Sequence, residues 1–402
     1  MIETAAVPLS DRPFPRQLCP MGSTSFTKPR QRLNRLLQAL LRHQTRQHRK
    51  GRSSGFTLLE LLVSIIIGAL ITILLLGFVV ELTKTNQEDA ARSQVQQDMQ
   101  AAMDYIAEDL REAVFVYNGQ CLAGNGKPDA TSVATFCPGV TDYIPAAMTQ
   151  NGTMPVLAFW RTQPLPDAVQ TACGTNAANL PNDVRSACIS GSTYALVVYA
   201  VAPRPDNNPA STIWDGNARI LRYELNQFPN AATGFADVTV GYFPPLSRPS
   251  DSFQQWPYSQ NPTTGQFGNQ QAARPTNPAF TLVDFADPVG GLNAAGTAPL
   301  TPSCAEFAPA NDPAAAANAL SPRTAANDPI TGRAMRGFYA CVRGGGMGNA
   351  AGAGVNQDVL LTLFGNVSGK PGFPRANNNK NRLSPLQTRV LVRGVLRKVD
   401  PT

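Results

Sequence analysis

The longest unbroken hydrophobic run of the chain extends from Phe56 to Val80, 25 residues that carry a single charge, Glu60. At about 1.5 Å rise per residue this run reaches about 37 Å as a helix, enough to cross a hydrocarbon core of about 30 Å with some tilt. From Glu81 to about Asn118 the composition turns polar but keeps helical period. Val95, Met99, Ala102, Ile106, Leu110 and Val114 recur at spacings of three and four, and Gln97, Asp98, Glu108, Asp109, Arg111 and Glu112 fill the other side. No proline occurs between Phe56 and Tyr117, so nothing forces a break. Gly68 and Gly77 lower helix propensity locally. The pattern predicts one helix of about 60 residues, or two collinear pieces, ended by Asn118-Gly119. Its outer half should lay the Val95-to-Val114 stripe on a sheet.

Beyond Asn118 the chain becomes rich in Pro, Gly, Asn and Ala, with short β-branched and aromatic segments. These are 156–160, 194–201, 218–225, 280–285, 359–364 and 388–393. They predict an antiparallel sheet with one face covered by the amphipathic half-helix. Long insertions separate them, chiefly 227–279 and 287–335, of a length typical of functional or disordered loops. The Gly/Ala tract 344–354 reads as a flexible turn region. There is no internal repeat.

Charge divides the chain at the apolar run. Residues 1–55 hold 11 Lys and Arg against 2 acids, whereas residues 56–402 hold 23 against 25. The basic character therefore belongs to the leader, and a nucleic-acid partner loses its support once the leader is set aside. By the positive-inside rule the leader stays cytoplasmic and the C-terminal part is exported. The apolar run is too long for a secretory signal peptide, and no small-x-small cleavage site follows it. A plain signal anchor is the simplest alternative. Against that reading stands Glu60: an acid at the bilayer centre costs roughly 2.5–3.5 kcal/mol on insertion scales, so an intramembrane carboxylate points to function, the alternative being an acid protonated near the headgroups, since Glu60 lies only one turn from the helix end.

The hexapeptide Gly55-Phe56-Thr57-Leu58-Leu59-Glu60 resembles the type III signal of type IV pilins and pseudopilins. The resemblance implies that prepilin peptidase cuts between Gly55 and Phe56 and that Phe56 becomes the N-methylated first residue. It makes Glu60 the fifth residue, whose carboxylate meets the N-terminal ammonium of a neighbouring subunit, so that two charges costly alone in lipid form a compensated pair. Some tip subunits of the family lack this acid; a chain that keeps it should insert below a partner. The implied fold is α+β, type IV pilin-like: a long N-terminal helix packed on an antiparallel sheet with long loops. The implied organisation is a cleaved basic cytoplasmic leader over 1–55, a transmembrane half-helix over 56–80, an amphipathic exported half over 81–118 and an exported β-sheet domain over 119–402. The partners implied are prepilin peptidase, other major and minor pilins or pseudopilins, and the inner membrane before assembly into a periplasmic or extracellular filament.

Large, loop-rich exported domains resemble minor pilins of the PilW type and minor pseudopilins of the PulJ type. The run from Asp98 to Tyr117, followed by Asn118-Gly119-Gln120-Cys121-Leu122, is similar to the pseudopilins associated with hormogonium polysaccharide secretion in filamentous cyanobacteria. Weaker echoes are Gln357-Asp358-Val359-Leu360 and Phe364-Gly365-Asn366. This implies a role in gliding motility or polysaccharide export through a pilus-like machine. The leader departs from the family's usual short form. Met21 offers an alternative start, and Leu33, Leu36, Leu37, Leu40 and Leu41 line up beside arginines as a basic amphipathic stripe. The competing reading of this leader is an over-extended start or a disordered basic tail.

Cys19 lies in the leader, leaving Cys121, Cys137, Cys173, Cys188, Cys304 and Cys341 in the exported part. An even count in an oxidising compartment points to disulfides, and six cysteines allow 15 pairings. Sequence proximity favours Cys121–Cys137, Cys173–Cys188 and Cys304–Cys341, the alternative being that some stay free. Both histidines, His43 and His48, are in the leader, so the exported part has none. That excludes a Ser-His-Asp triad and His-based zinc sites there. No C-x-x-C and no G-x-S-x-G occurs. Gly365-Asn366-Val367-Ser368-Gly369-Lys370 only superficially resembles a phosphate loop, because its glycines are too close and Pro371 follows where Ser or Thr is needed. Composition leaves a carboxylate-only glycosidase open, though surface acids are ordinarily just solvated. The reading is a structural, non-catalytic subunit without metal or cofactor; the alternative is a signal-anchored inner-membrane protein with a periplasmic binding domain.

Overall fold

The computed structural model describes residues 55–125, 136–175, 180, 182–204, 213–248, 251–292, 299–308, 312–328, 332–344, 357–375 and 379–392. The leader, with Cys19, Met21, both histidines and the Leu33–Leu41 stripe, lies outside these residues, as does the Gly/Ala tract beyond Gly344. The chain divides into two compact units, one ending at Leu75 and one running from Leu76 to Thr402.

In the first unit the described residues start the long helix α1 (Leu58–Arg111). Every described side chain from Phe56 to Leu75 is exposed, including Leu58, Leu61, Ile65 and Leu74. Ser64 Oγ donates to the Glu60 carbonyl at 2.7 Å and Thr72 Oγ1 to that of Gly68 at 2.8 Å. These back-bonds hide the hydroxyls of an otherwise apolar cylinder. Leu58–Arg111 is also the one helix, among the described residues, long and apolar enough to cross a membrane.

In the second unit the rest of α1 buries one face. Val95, Met99, Ile106 and Leu110 are almost wholly removed from solvent, and each such side chain contributes roughly 1.5–3 kcal/mol. The helix stops at Arg111, short of Asn118, and Ala113–Val116 forms strand β1. The cause is tertiary. Val114, Phe115 and Val116 are β-branched or aromatic, and β1 finds a partner in β2 (Met154–Pro164), pairing Phe115 with Trp160 and Val116 with Phe159. Asn118 does not end the long helix. It caps the next one, α2 (Gly119–Ala123), its Oδ1 accepting the Cys121 amide at 2.9 Å.

Among the described residues two larger antiparallel sheets follow, where one sheet was expected. The first has the order β1-β2-β3-β4-β7, with β3 at Ser192–Pro203, β4 at Ala218–Leu225 and β7 at Phe280–Ala286. The second has the order β11-β10-β9-β8, with β8 at Leu320–Ser321, β9 at Phe338–Arg343, β10 at Asp358–Leu363 and β11 at Leu386–Leu391. A core joins the inner face of α1 to Leu157, Phe159, Val197 and Ile220 of the first sheet and to Val359 and Leu361 of the second.

The first sheet is covered on both faces, which corrects the expectation of one. Trp160, Val198 and Tyr223 face a second core made with Tyr143, Ile144, Phe253 and Trp256. Double coverage explains why Ala195–Ala202 is buried without alternation. The insertion 227–279 thus acts as the lid of a core. It contains a two-stranded hairpin of β5 (Tyr258–Gln260) and β6 (Phe267–Asn269). Its Phe253 carbonyl accepts the Tyr117 hydroxyl, which itself accepts Trp160 Nε1 at 2.8 Å. Burial pushes the Tyr117 phenol well above its ordinary pKa, and the Trp160 hydrogen bond offsets this only in part.

Two more helices, α3 (Asp167–Thr175) and α4 (Asn182–Ser190), form a hairpin between β2 and β3 with its own small core of Val169, Leu180, Val184 and Phe228. Disulfides join Cys121 to Cys137, Cys173 to Cys188 and Cys304 to Cys341, with Cα separations of 4.9, 5.5 and 5.5 Å. Cys173–Cys188 ties the two helices of the hairpin together, and a closed loop of about 15 residues is worth about 3 kcal/mol in the chain-entropy account.

Backbone segments approach most tightly at two glycines among the described residues. A Cβ on Gly337 would overlap the Asp287 carbonyl, and one on Gly119 would overlap that of Leu320. Gly337→Ala is therefore expected to cost about 1–3 kcal/mol through forced backbone shifts. Gly234→Ala, where a Cβ meets nothing within 4 Å, serves as the neutral control. Thermal melts of the two variants check this; equal melting temperatures would contradict the packing.

Candidate functional site

The segment around Gly55 is shaped by where α1 begins. Residues 55–57 lie outside the helix and are exposed, and a Cβ built on Gly55 meets nothing within 4 Å. The Thr57 carbonyl accepts the amides of Glu60 at 3.0 Å and Leu61 at 3.2 Å, which closes the first turn. The Gly55–Phe56 peptide thus sits in open, non-helical chain two residues before the helix. Glu60 is exposed in the first turn, where a carboxylate is favoured by the helix dipole.

A second cluster of charges lies where α1 meets the first sheet. Asp109 falls on the buried side of the helix, contrary to its placement on the polar side from sequence. Its position, three after Ile106 and seven after Ala102, belongs to the buried stripe, so the spacing carried the signal that its polarity masked. Asp109 Oδ2 accepts Arg222 Nε at 2.8 Å and the Tyr199 hydroxyl. Arg161 NH1 lies 3.5 Å from Asp109 Oδ1, and Arg161 NH2 reaches Glu224 Oε1 at 2.9 Å. Arg222 NH1 binds Glu224 Oε2 at 2.6 Å, and the Tyr105 ring covers the Arg222 guanidinium at 5.7 Å. Burial alone would lower the Arg222 pKa, but hydrogen bonds and charge from Asp109 and Glu224 outweigh it and hold it above its ordinary value. Burial, with the Asp109 charge, raises the Tyr199 phenol. Apart from Arg161 Nε, which is buried without a hydrogen-bond partner, the charges of the cluster answer one another across the seam, so its role is to lock helix to sheet.

A third polar centre is Asp287, buried at the end of β7. It accepts the amides of Val289 at 2.7 Å and Gly290 at 2.8 Å, Asn366 Nδ2 at 2.8 Å, and pairs with Arg382 at 2.9 Å. Burial raises its pKa despite Arg382. Asn366 within the Gly365–Lys370 stretch is thereby tied into the core, its Oδ1 accepting the Ser368 amide at 2.9 Å. Among the described residues no group of three or more His, Cys, Asp or Glu is placed to hold a metal ion.

Residues 50–76 match the prokaryotic N-terminal methylation motif. No curated protein and no solved structure matches the chain. The matched segment contains Gly55, Phe56, Glu60 and the first turns of α1. Together with a long apolar helix followed by antiparallel sheets, it supports the type IV pilin-like class of prepilin-type proteins. The motif points to a structural role, with processing by prepilin peptidase and assembly with other pilins, and the single apolar helix is consistent with an inner-membrane anchor.

Proposed function

We propose that the chain is a minor pilin or pseudopilin, a non-catalytic subunit of a type IV pilus-like or type II secretion-like filament. Prepilin peptidase removes residues 1–55 and methylates Phe56. Subunits then pack their apolar helices into the filament core, and Glu60 sets axial register against the freed amino terminus of a neighbour. The observation that carries this reading is Gly55 in open chain, followed at once by an exposed apolar helix whose first turn holds Glu60. A carboxylate in the first turn of an apolar helix costs free energy in lipid unless a partner answers it, and a simple anchor supplies none. The similarity of Asp98–Leu122 to the hormogonium polysaccharide pseudopilins favours a filament that serves polysaccharide export and gliding. The mature chain begins as a single-pass inner-membrane protein and ends in the filament, its sheets and insertions facing neighbouring minor subunits or cargo.

Gly55→Leu places a large side chain next to the scissile bond. The precursor is expected to accumulate at full length, readable as slower gel migration and a larger intact mass. A Gly55→Leu protein that migrates like the wild type would make the chain a static signal-anchored protein instead.

A further inference from the structure

The sheet edges differ in how they are closed. The outer side of β1 is sealed by the Gln357 side chain, which donates to the Val116 carbonyl at 2.7 Å and accepts its amide at 2.8 Å. The end of β7 runs into β10, through the Ala286–Gly365 bridge and the Asp287 amide on the Phe364 carbonyl at 2.8 Å. β8 is only two residues long. β11 differs: all six of its residues pair with β10, and among the described residues none pairs with its other side.

The register shows which groups are open. The Val392 amide donates to the Gln357 carbonyl, so this pair is hydrogen-bonded and alternate residues 390, 388 and 386 turn inward to β10. The amides and carbonyls of Gln387, Arg389 and Leu391 therefore point to the open edge. Beside that edge runs an open groove of about 410 Å3, walled on the strand side by Ser384 and Leu386 and on the helix side by Ser93, Gln96, Gln97 and Gln100 of α1. These helix residues recur at three and four on one exposed face. Their side chains are polar without charge; Gln97 Nε2 donates to Ser93 Oγ at 3.3 Å and Gln100 Nε2 to Asp104 Oδ1 at 3.0 Å, exposed bonds that a docking strand would exchange for its own. Asp89 and Asp104, four residues before Ser93 and four after Gln100, extend the same stripe with exposed carboxylates. The cation on the strand wall, Arg389, is taken up by Asp358 at 2.9 Å.

An open edge beside an amide-lined wall is the geometry of strand addition, in which an extended peptide completes the ladder. We propose that the β11 edge receives an extended segment of another subunit, polar through its middle and basic at both ends. Asp104 lies fifteen positions after Asp89 along the helix, about 22 Å, which a strand covers in about seven residues. That the segment comes from a filament neighbour rests on the function proposed above; the edge itself does not.

The test uses the full processed chain in detergent and residue-resolved amide exchange. The probe is acetyl-Lys-Thr-Val-Thr-Val-Thr-Lys-amide, with a twin carrying Glu at both ends. In the dilute protein alone, Gln387, Arg389 and Leu391 should exchange fast and Thr388 and Val390 slowly. The basic peptide should slow the three outward amides at least about tenfold, and the acidic twin should not. Leu391→Pro, which removes an outward donor and no bond to β10, should weaken binding at an unchanged melting temperature. Slow outward amides in the dilute free protein would mean that the chain's own residues cover the edge. Slowing only at high protein concentration would mean a second copy does. Equal protection by both peptides, or by neither, would also overturn the proposal.

Discussion

Asp109→Ala is expected to lower the stability of the unit from Leu76 onward by about 3–5 kcal/mol, the usual cost of removing one partner from a buried ion network. Asp109 joins Arg222, Arg161 and Tyr199 at the seam between α1 and the first sheet. Without it, two guanidinium groups share Glu224 as their buried carboxylate, and the exposed Glu112 at 3.0 Å from Arg161 compensates only weakly. Tyr199 also loses the acceptor of its hydroxyl. Asp109→Asn keeps the shape and one acceptor, so it should cost less than Ala. Glu112→Ala should stay within about 0.5 kcal/mol, as exposed pairs do. Denaturant titration of the three variants checks the order. An Asp109→Ala protein as stable as Glu112→Ala would show that the helix is held by its apolar face alone.

Glu60→Ala is expected to leave cleavage intact and to reduce incorporation into sheared filaments at least about tenfold, the effect of losing about 1.4 kcal/mol of coupling. The Gly55–Phe56 peptide precedes α1 in open chain, and the residues flanking it are unchanged by the substitution. What changes is the answer to a neighbour's ammonium in a medium where neither charge is tolerated alone. Glu60→Gln separates charge from shape, since it keeps the side-chain length and should fail as alanine does. Immunoblots of membrane and sheared fractions give both readouts. Wild-type incorporation of either variant would remove Glu60 from the assembly mechanism.

The parts of this protein legible in its sequence are those set by contiguous residues. A processing signal is a short local segment, so the methylation motif over 50–76 could be read directly, and 25 apolar residues define a membrane-length helix without tertiary help. The end of α1 was not legible, because Val114 continues the helical spacing while also suiting a strand, and only the partner strand β2 decides between them. β9 was missed for a similar reason: Phe338–Arg343 owes its place to pairing with β8 and β10, and its sequence alone shows little alternation. The insertion 227–279 read as a loop because its apolar residues, Phe253, Trp256 and Tyr258 among them, follow no regular period; they are spaced to cap the far face of a sheet. The Asp109 cluster gathers residues from one helix and three strands, and no window of sequence contains it.

Processing of this chain as a prepilin would be written in its amino terminus in the native host. Intact mass and N-terminal sequencing of the membrane-derived protein should give N-methylphenylalanine at Phe56 and the mass of residues 56–402. Recovery of the chain with its leader attached, or with an unmodified start elsewhere, would show that it is not a processed prepilin.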